Sequence, residues 1–146
     1  TVGQTFTTRS ATLTEGEVVD FALKYDPQPM HVDKHAASEG MFGGLISSGF
    51  QTLALSFRLY IDLGLTMKSN IVGPGVDELR WLAPVRPGDT IRSIIEVVET
   101  RPSTSKPDRG SVRISFSTQN QGGDVVMTYI STMILRRRPH GETKNG

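Results

Sequence analysis

The sequence predicts an α+β domain in which a curved antiparallel sheet wraps one long central helix. Three observations carry that expectation. A Thr-rich extended stretch opens the chain, helical apolar spacing runs through residues 47–63, and from residue 76 onward the pattern turns to period two. At 146 residues the chain is the size of one compact unit. We expect a single domain over residues 1–138 and a polar tail over 139–146.

The first strand is expected from Thr5 to Leu13. Thr14 and Glu17 then stand at capping-box spacing, where each side chain satisfies an orphan donor of a new helix. That helix is expected over about Glu15 to Lys24, with Val18, Phe21 and Ala22 at helical spacing. It must stop near Asp26, because Pro27 disfavours helical angles in the residue before it. The following DPQPMHVD carries two prolines in three positions and reads as a stiff loop that holds side chains in place. Asp33 can cap a brief helix through Lys34, His35, Ala36 and Ala37, which the glycines at 40, 43 and 44 break.

The strongest helical signal runs from Ser47 to Leu63. Phe50, Leu53, Ala54, Phe57, Tyr60 and Ile61 share one face, and Leu55, Leu59 and Leu63 widen it. A helix apolar nearly all round is expected to be buried. Gly64 suits its C-terminal stop, and IVGPG reads as a turn. Strands are expected at Val76 to Leu82, Thr90 to Thr100, Ser111 to Gln119 and Val125 to Leu135, joined by the turn-rich links PVRPGD, PSTSKPDRG and NQGGD. In the third of these, Val112, Ile114 and Phe116 alternate with Arg113, Ser115 and Ser117, the pattern of a sheet with one face on a core and one in water.

Composition narrows the function classes. Sixteen basic against 15 acidic residues leave a formal charge of +1, too little for a broad field that draws in nucleic acid or anionic membrane. With no cysteine there is no disulfide, thiolate nucleophile or thiolate metal site, which fits a reducing compartment. The opening TVGQTFTTRS lacks a basic segment followed by an apolar run, and no apolar stretch approaches the roughly 20 residues of a membrane span. A cytoplasmic protein with neither nucleic acid nor membrane as partner is expected. In the closing RRRPHGETKNG, the run Arg136 to Arg138 reads as a solvated end rather than a phosphate site.

Of the histidines at 31, 35 and 140, only His31 sits in a constrained loop beside a carboxylate. Asp26 lies five residues before it, across the stiff Pro27 to Pro29 segment, so the two side chains can converge on one point. A base and a second proton handler at one water are what hydration of a double bond requires. The same spacing also suits a plain loop-stabilising hydrogen bond. A metal pair of His31 and His35 at i, i+4 is disfavoured, since Pro29 argues against a helix at His31, no glutamate stands beside it and no third ligand is obvious. No metal or other cofactor is expected. Gly49 falls where the long helix begins, so its N–H is an unpaired donor at the positive helix end and a natural oxyanion site. The glycines between 40 and 49 serve tight turning and close packing equally well.

The stretch YDPQPMHVDKHAASEGMFGGLISSGF resembles the signature of the MaoC-like dehydratases, which include the R-specific enoyl-CoA hydratases. There an Asp, four residues, a His and a later helix-opening Gly form the site. VDELRWLAPVRPGDTI, the KPDRG turn and the NQGGDVVMT hairpin extend the likeness over nearly the whole chain. The resemblance implies a hot-dog fold, Asp26 and His31 as the catalytic pair, and Gly49 as backbone donor to a thioester carbonyl. It also implies hydration of a 2-enoyl thioester, or dehydration of a 3-hydroxyacyl thioester, with acyl-CoA as substrate in a homodimer or dimer of dimers.

Departures from the family pattern Gly-Asp-x-Asn-Pro-Ile-His are Tyr25, Gln28 and Met30, and Ser48 stands where a His often precedes the glycine. Gln28 and Ser48 are therefore expected to border the acyl site. Two rival functions share the fold: a thioesterase, and a non-catalytic acyl-thioester binding module. The helix from Gly49 to Arg58 carries no Asp or Glu, which counts against thioesterases that place a carboxylate there.

Overall fold

A computed structural model describes residues 1–137 of the chain. Two short strands, β1 (Thr5–Thr7) and β2 (Ala11–Thr12), lead into α1 (Glu15–Tyr25), α2 (Pro29–Val32), α3 (Lys34–Glu39) and α4 (Gly49–Asp62). Four long strands follow: β3 (Asn70–Trp81), β4 (Thr90–Pro102), β5 (Arg109–Gln119) and β6 (Val125–Arg136). They form one antiparallel sheet in the order β1-β4-β5-β6-β3, with β2 also on β4. The tail at 139–146, like Arg138, lies outside the described residues. Arg136 ends β6, and Arg137 donates its backbone N–H to the Asp108 carbonyl.

Local chemistry explains most boundaries. The capping box closes as expected, with Glu17 N–H on Thr14 Oγ1 and Thr14 N–H on Glu17 Oε1, both at 3.1 Å. Gly64 adopts φ +73° just past α4, the left-handed position that favours glycine at a helix end.

Three expectations are corrected. The single strand Thr5 to Leu13 is broken, because Thr7 opposes Ile94 while Ala11 opposes Ile91, four steps against three. Thr8 fills the break, its hydroxyl accepting the Ser93 N–H at 2.8 Å. IVGPG is not a turn but the start of β3, and Pro74 is tolerated there because β3 is an edge strand with register irregularities around it. The DPQPMHVD loop contains the one-turn helix α2, since Pro29 stands in the first turn, where its missing N–H costs nothing.

The long helix brings the largest surprise. It crosses β4, β5 and β6, yet Phe50 and Phe57 on its expected core face are 58% and 36% exposed, and its buried residues include Gln51, Thr52 and Ser56. The sheet explains this, because it offers hydroxyls where the helix lands. Ser56 Oγ lies 2.9 Å from Ser93 Oγ, 3.1 Å from Thr118 Oγ1 and 3.0 Å from Tyr129 OH. The apolar core continues beside this cluster, where Phe116 stacks on Tyr129 at 4.3 Å and meets Tyr60 edge-on at 5.4 Å. Ser56→Ala strips the Tyr129 hydroxyl of its partner, and urea denaturation is expected to show a loss of about 1–3 kcal/mol. An unchanged midpoint would show that the cluster does not hold the helix to the sheet.

Candidate active site

Asp26 is the C-cap of α1, its N–H still bonded to the Ala22 carbonyl, and Pro27 turns the chain away there. One-turn α2 then brings His31 back, with Nε2 at 3.4 Å from Asp26 Oδ2. The imidazole is 3% exposed, and its Nδ1 lies 2.7 Å from the Ile46 carbonyl oxygen. A carbonyl only accepts, so Nδ1 carries a hydrogen and Nε2 is the atom presented to Asp26. The Ile46 N–H returns a bond to the Met30 carbonyl, locking the 41–48 loop against α2.

The carboxylate is held on both oxygens. Gln28 Nε2 donates to Oδ1 at 2.7 Å, and Ser48 Oγ donates to Oδ2 at the same distance. These two bonds, the Gln28 bond first, hold the Asp26 pKa below the ordinary carboxylate value against the opposing effect of burial. Ser48 also N-caps α4, accepting the Phe50 N–H. Ser48, expected to border the acyl site, is fully buried and is not among the cavity-lining residues, whereas Gln28 is.

The cavity, about 420 Å³, is lined by Asp26, Gln28, His31, Gly49 and an apolar wall that includes Met30, Phe42, Ile46, Phe50 and Trp81. Gly49 is the first residue of α4, and its N–H has no protein acceptor among the described residues. The structure thus brings Asp26, His31 and Gly49 to one space. His31 and His35 are not brought together: His31 is buried, whereas the His35 side chain is 87% exposed and faces Glu39 at 3.7 Å. Missed from the sequence are Phe42, Ile46 and Trp81, whose roles depend on chain crossings that no local pattern announces.

The family model described as "MaoC like domain" matches residues 1–120. The chain belongs to the MaoC-like domain family. An uncharacterized Bacillus subtilis protein, YdeM, is 39% identical over 121 residues, covering 83% of this chain and 84% of that one. The 3-hydroxyacyl-thioester dehydratase Z of Mycobacterium tuberculosis is 38% identical over 112 residues, 73% of this chain and 70% of that one. A crystal structure of the MaoC-like dehydratase from Rhodospirillum rubrum superposes with a TM-score of 0.88 at 38% identity, covering 95% and 94% of the two chains. The sheet and helix of this MaoC-like domain are accordingly the hot-dog fold. Its departures at Gln28 and Ser48 keep a hydrogen-bond donor on each oxygen of Asp26.

Proposed function

We propose that the protein adds water to 2-enoyl thioesters and, in reverse, dehydrates 3-hydroxyacyl thioesters, with acyl-CoA as the thioester. The observation that carries this reading is the Asp26–His31 pair, facing the same apolar cavity as the free Gly49 N–H. The thioester oxygen accepts the Gly49 N–H, and one water lies between Asp26 Oδ2 and His31 Nε2. Asp26 takes a proton from that water as its oxygen bonds to C3, the C2–C3 π electrons move onto the thioester oxygen, and the pair returns a proton to C2. Charge builds on that oxygen, where a preorganised helix-end N–H contributes about 3 kcal/mol. Disappearance of the conjugated enoyl-thioester absorbance without release of free thiol tests the reaction and separates it from thioester hydrolysis.

The pH profile follows from the clamp on Asp26. The base must be ionised, so activity falls as pH drops through the depressed Asp26 pKa. Gln28→Ala removes the largest depressing cause, and the acid limb of kcat/KM is expected to move to higher pH. An acid limb that stays in place would exclude Asp26 as the group that titrates there. Folding stability has the same sign: the contribution is complete above the unfolded carboxylate pKa and is lost as pH falls through the folded one.

The functional unit in this reading is a homodimer. The outer edge of β3 has no strand partner among the described residues, and Val72 and Val76 on that strand are exposed. A second copy pairing there would satisfy the open backbone groups of the edge and shield its exposed valines. Sedimentation equilibrium is expected to give about twice the 16.0 kDa of the chain, and a monomer at micromolar concentration would refute the pairing.

A further inference from the structure

Trp81 stands at an unusual conjunction of three observations. A Cβ on Gly49 would lie 2.4 Å from Trp81 Cε2 and 2.6 Å from Nε1, so the indole rests directly on the glycine. The Trp81 Nε1–H donates to the Gly49 carbonyl at 3.0 Å. The ring also meets Phe50 edge-on at 5.5 Å and walls the cavity that holds Asp26 and His31.

The backbone goes out of its way to achieve this. Asp77 opposes Ile130 while Arg80 opposes Thr128, three residues against two, so β3 carries a bulge between them. Within it Glu78 sits at φ +54°, the only non-glycine with positive φ among the described residues. Asp77 pairs with Arg113 on the outer face of the sheet, whereas Trp81 opposes Met127, which is fully buried. In an unbroken strand Asp77 and Trp81 would share one face; the extra residue turns Trp81 to the helix side. Strain at a non-glycine residue persists where the surroundings over-determine it.

We propose that Trp81 is a positioning residue for the thioester-binding amide, an inference that rests on the hydratase reading above. The peptide joining Ser48 to Gly49 is held at its carbonyl end, where Ser48 O accepts the Gln51 and Thr52 N–H groups at 3.0 and 3.2 Å. The next peptide is held by Trp81 through the Gly49 carbonyl. With its own peptide plane held by the helix and the next one held by Trp81, the Gly49 N–H points at one place in the cavity before substrate arrives, as transition-state stabilisation by a preorganised donor requires. The indole acts through this peptide and takes no part in proton transfer.

The experiment compares wild type, Trp81→Phe and Trp81→Ala with a short 2-enoyl-CoA. Phe keeps an aromatic wall and loses the N–H donor. It is expected to lower kcat by about tenfold, the worth of one hydrogen bond, with KM within about twofold. Ala is expected to lower kcat by about a hundredfold and to raise KM as the wall opens. Because Trp81 is the sole tryptophan, its emission is also expected to change saturably on titration with hexanoyl-CoA, which cannot be hydrated. Wild-type kcat in Trp81→Phe, or a loss confined to KM, overturns the positioning role and leaves the hydratase reading intact. Failure of the wild-type protein to hydrate any enoyl-CoA overturns both, and is distinguished by the absence of a rate to compare.

Discussion

Asp26→Asn is expected to lower kcat for enoyl-thioester hydration by about a thousandfold, the middle of the range for loss of a general base. The substitution is close to isosteric and leaves most of the site in place. Ser48 can still donate to the amide oxygen, the Ala22 carbonyl still receives the residue-26 N–H, and His31 keeps its bond to the Ile46 carbonyl. What goes is the negative charge and basicity of the oxygen 3.4 Å from His31 Nε2. His31→Ala makes a less discriminating test, because it also leaves a buried carbonyl without its partner and a void where the imidazole is 3% exposed. Stopped assays on Asp26→Asn, with thermal unfolding to show an intact fold, decide the matter. A variant retaining a tenth of wild-type kcat would remove Asp26 from the proton chemistry.

Where chemistry is local, the sequence was a faithful guide. The Thr14 and Glu17 capping box, the stop at Asp26 before Pro27, and the left-handed Gly64 each depend on residues within one turn of each other. The Asp26–His31 approach was legible for the same reason, since five residues and two prolines leave little room for divergence. The corrections arise where distant segments meet. Phe50 and Phe57 looked like core residues until the sheet set the Ser93, Thr118 and Tyr129 hydroxyls opposite Ser56. IVGPG looked like a turn because glycine and proline break central strands, but at an irregular edge strand the donor that Pro74 lacks is not needed. Nothing in the period of β3 reveals that a bulge at Glu78 reverses the face of Trp81.

Gly49→Ala follows from that hidden crossing and is expected to lower kcat by about a hundredfold while also lowering stability. Helix propensity alone argues the reverse, because alanine is favoured over glycine within a helix by about 1 kcal/mol. The deciding magnitude is steric: the new Cβ would sit 2.4 Å from the Trp81 ring, well inside van der Waals contact. Either the indole leaves, breaking its bond to the Gly49 carbonyl, or the first turn of α4 shifts and carries the free N–H with it. Both routes misplace the amide on which thioester charge builds. The clash also predicts non-additivity, since residues in direct contact couple. In a Trp81→Ala background the indole is already gone, so Gly49→Ala should cost little further stability and little further kcat. Additive losses in that double-mutant cycle would mean that the glycine is required for some reason other than the ring resting on it.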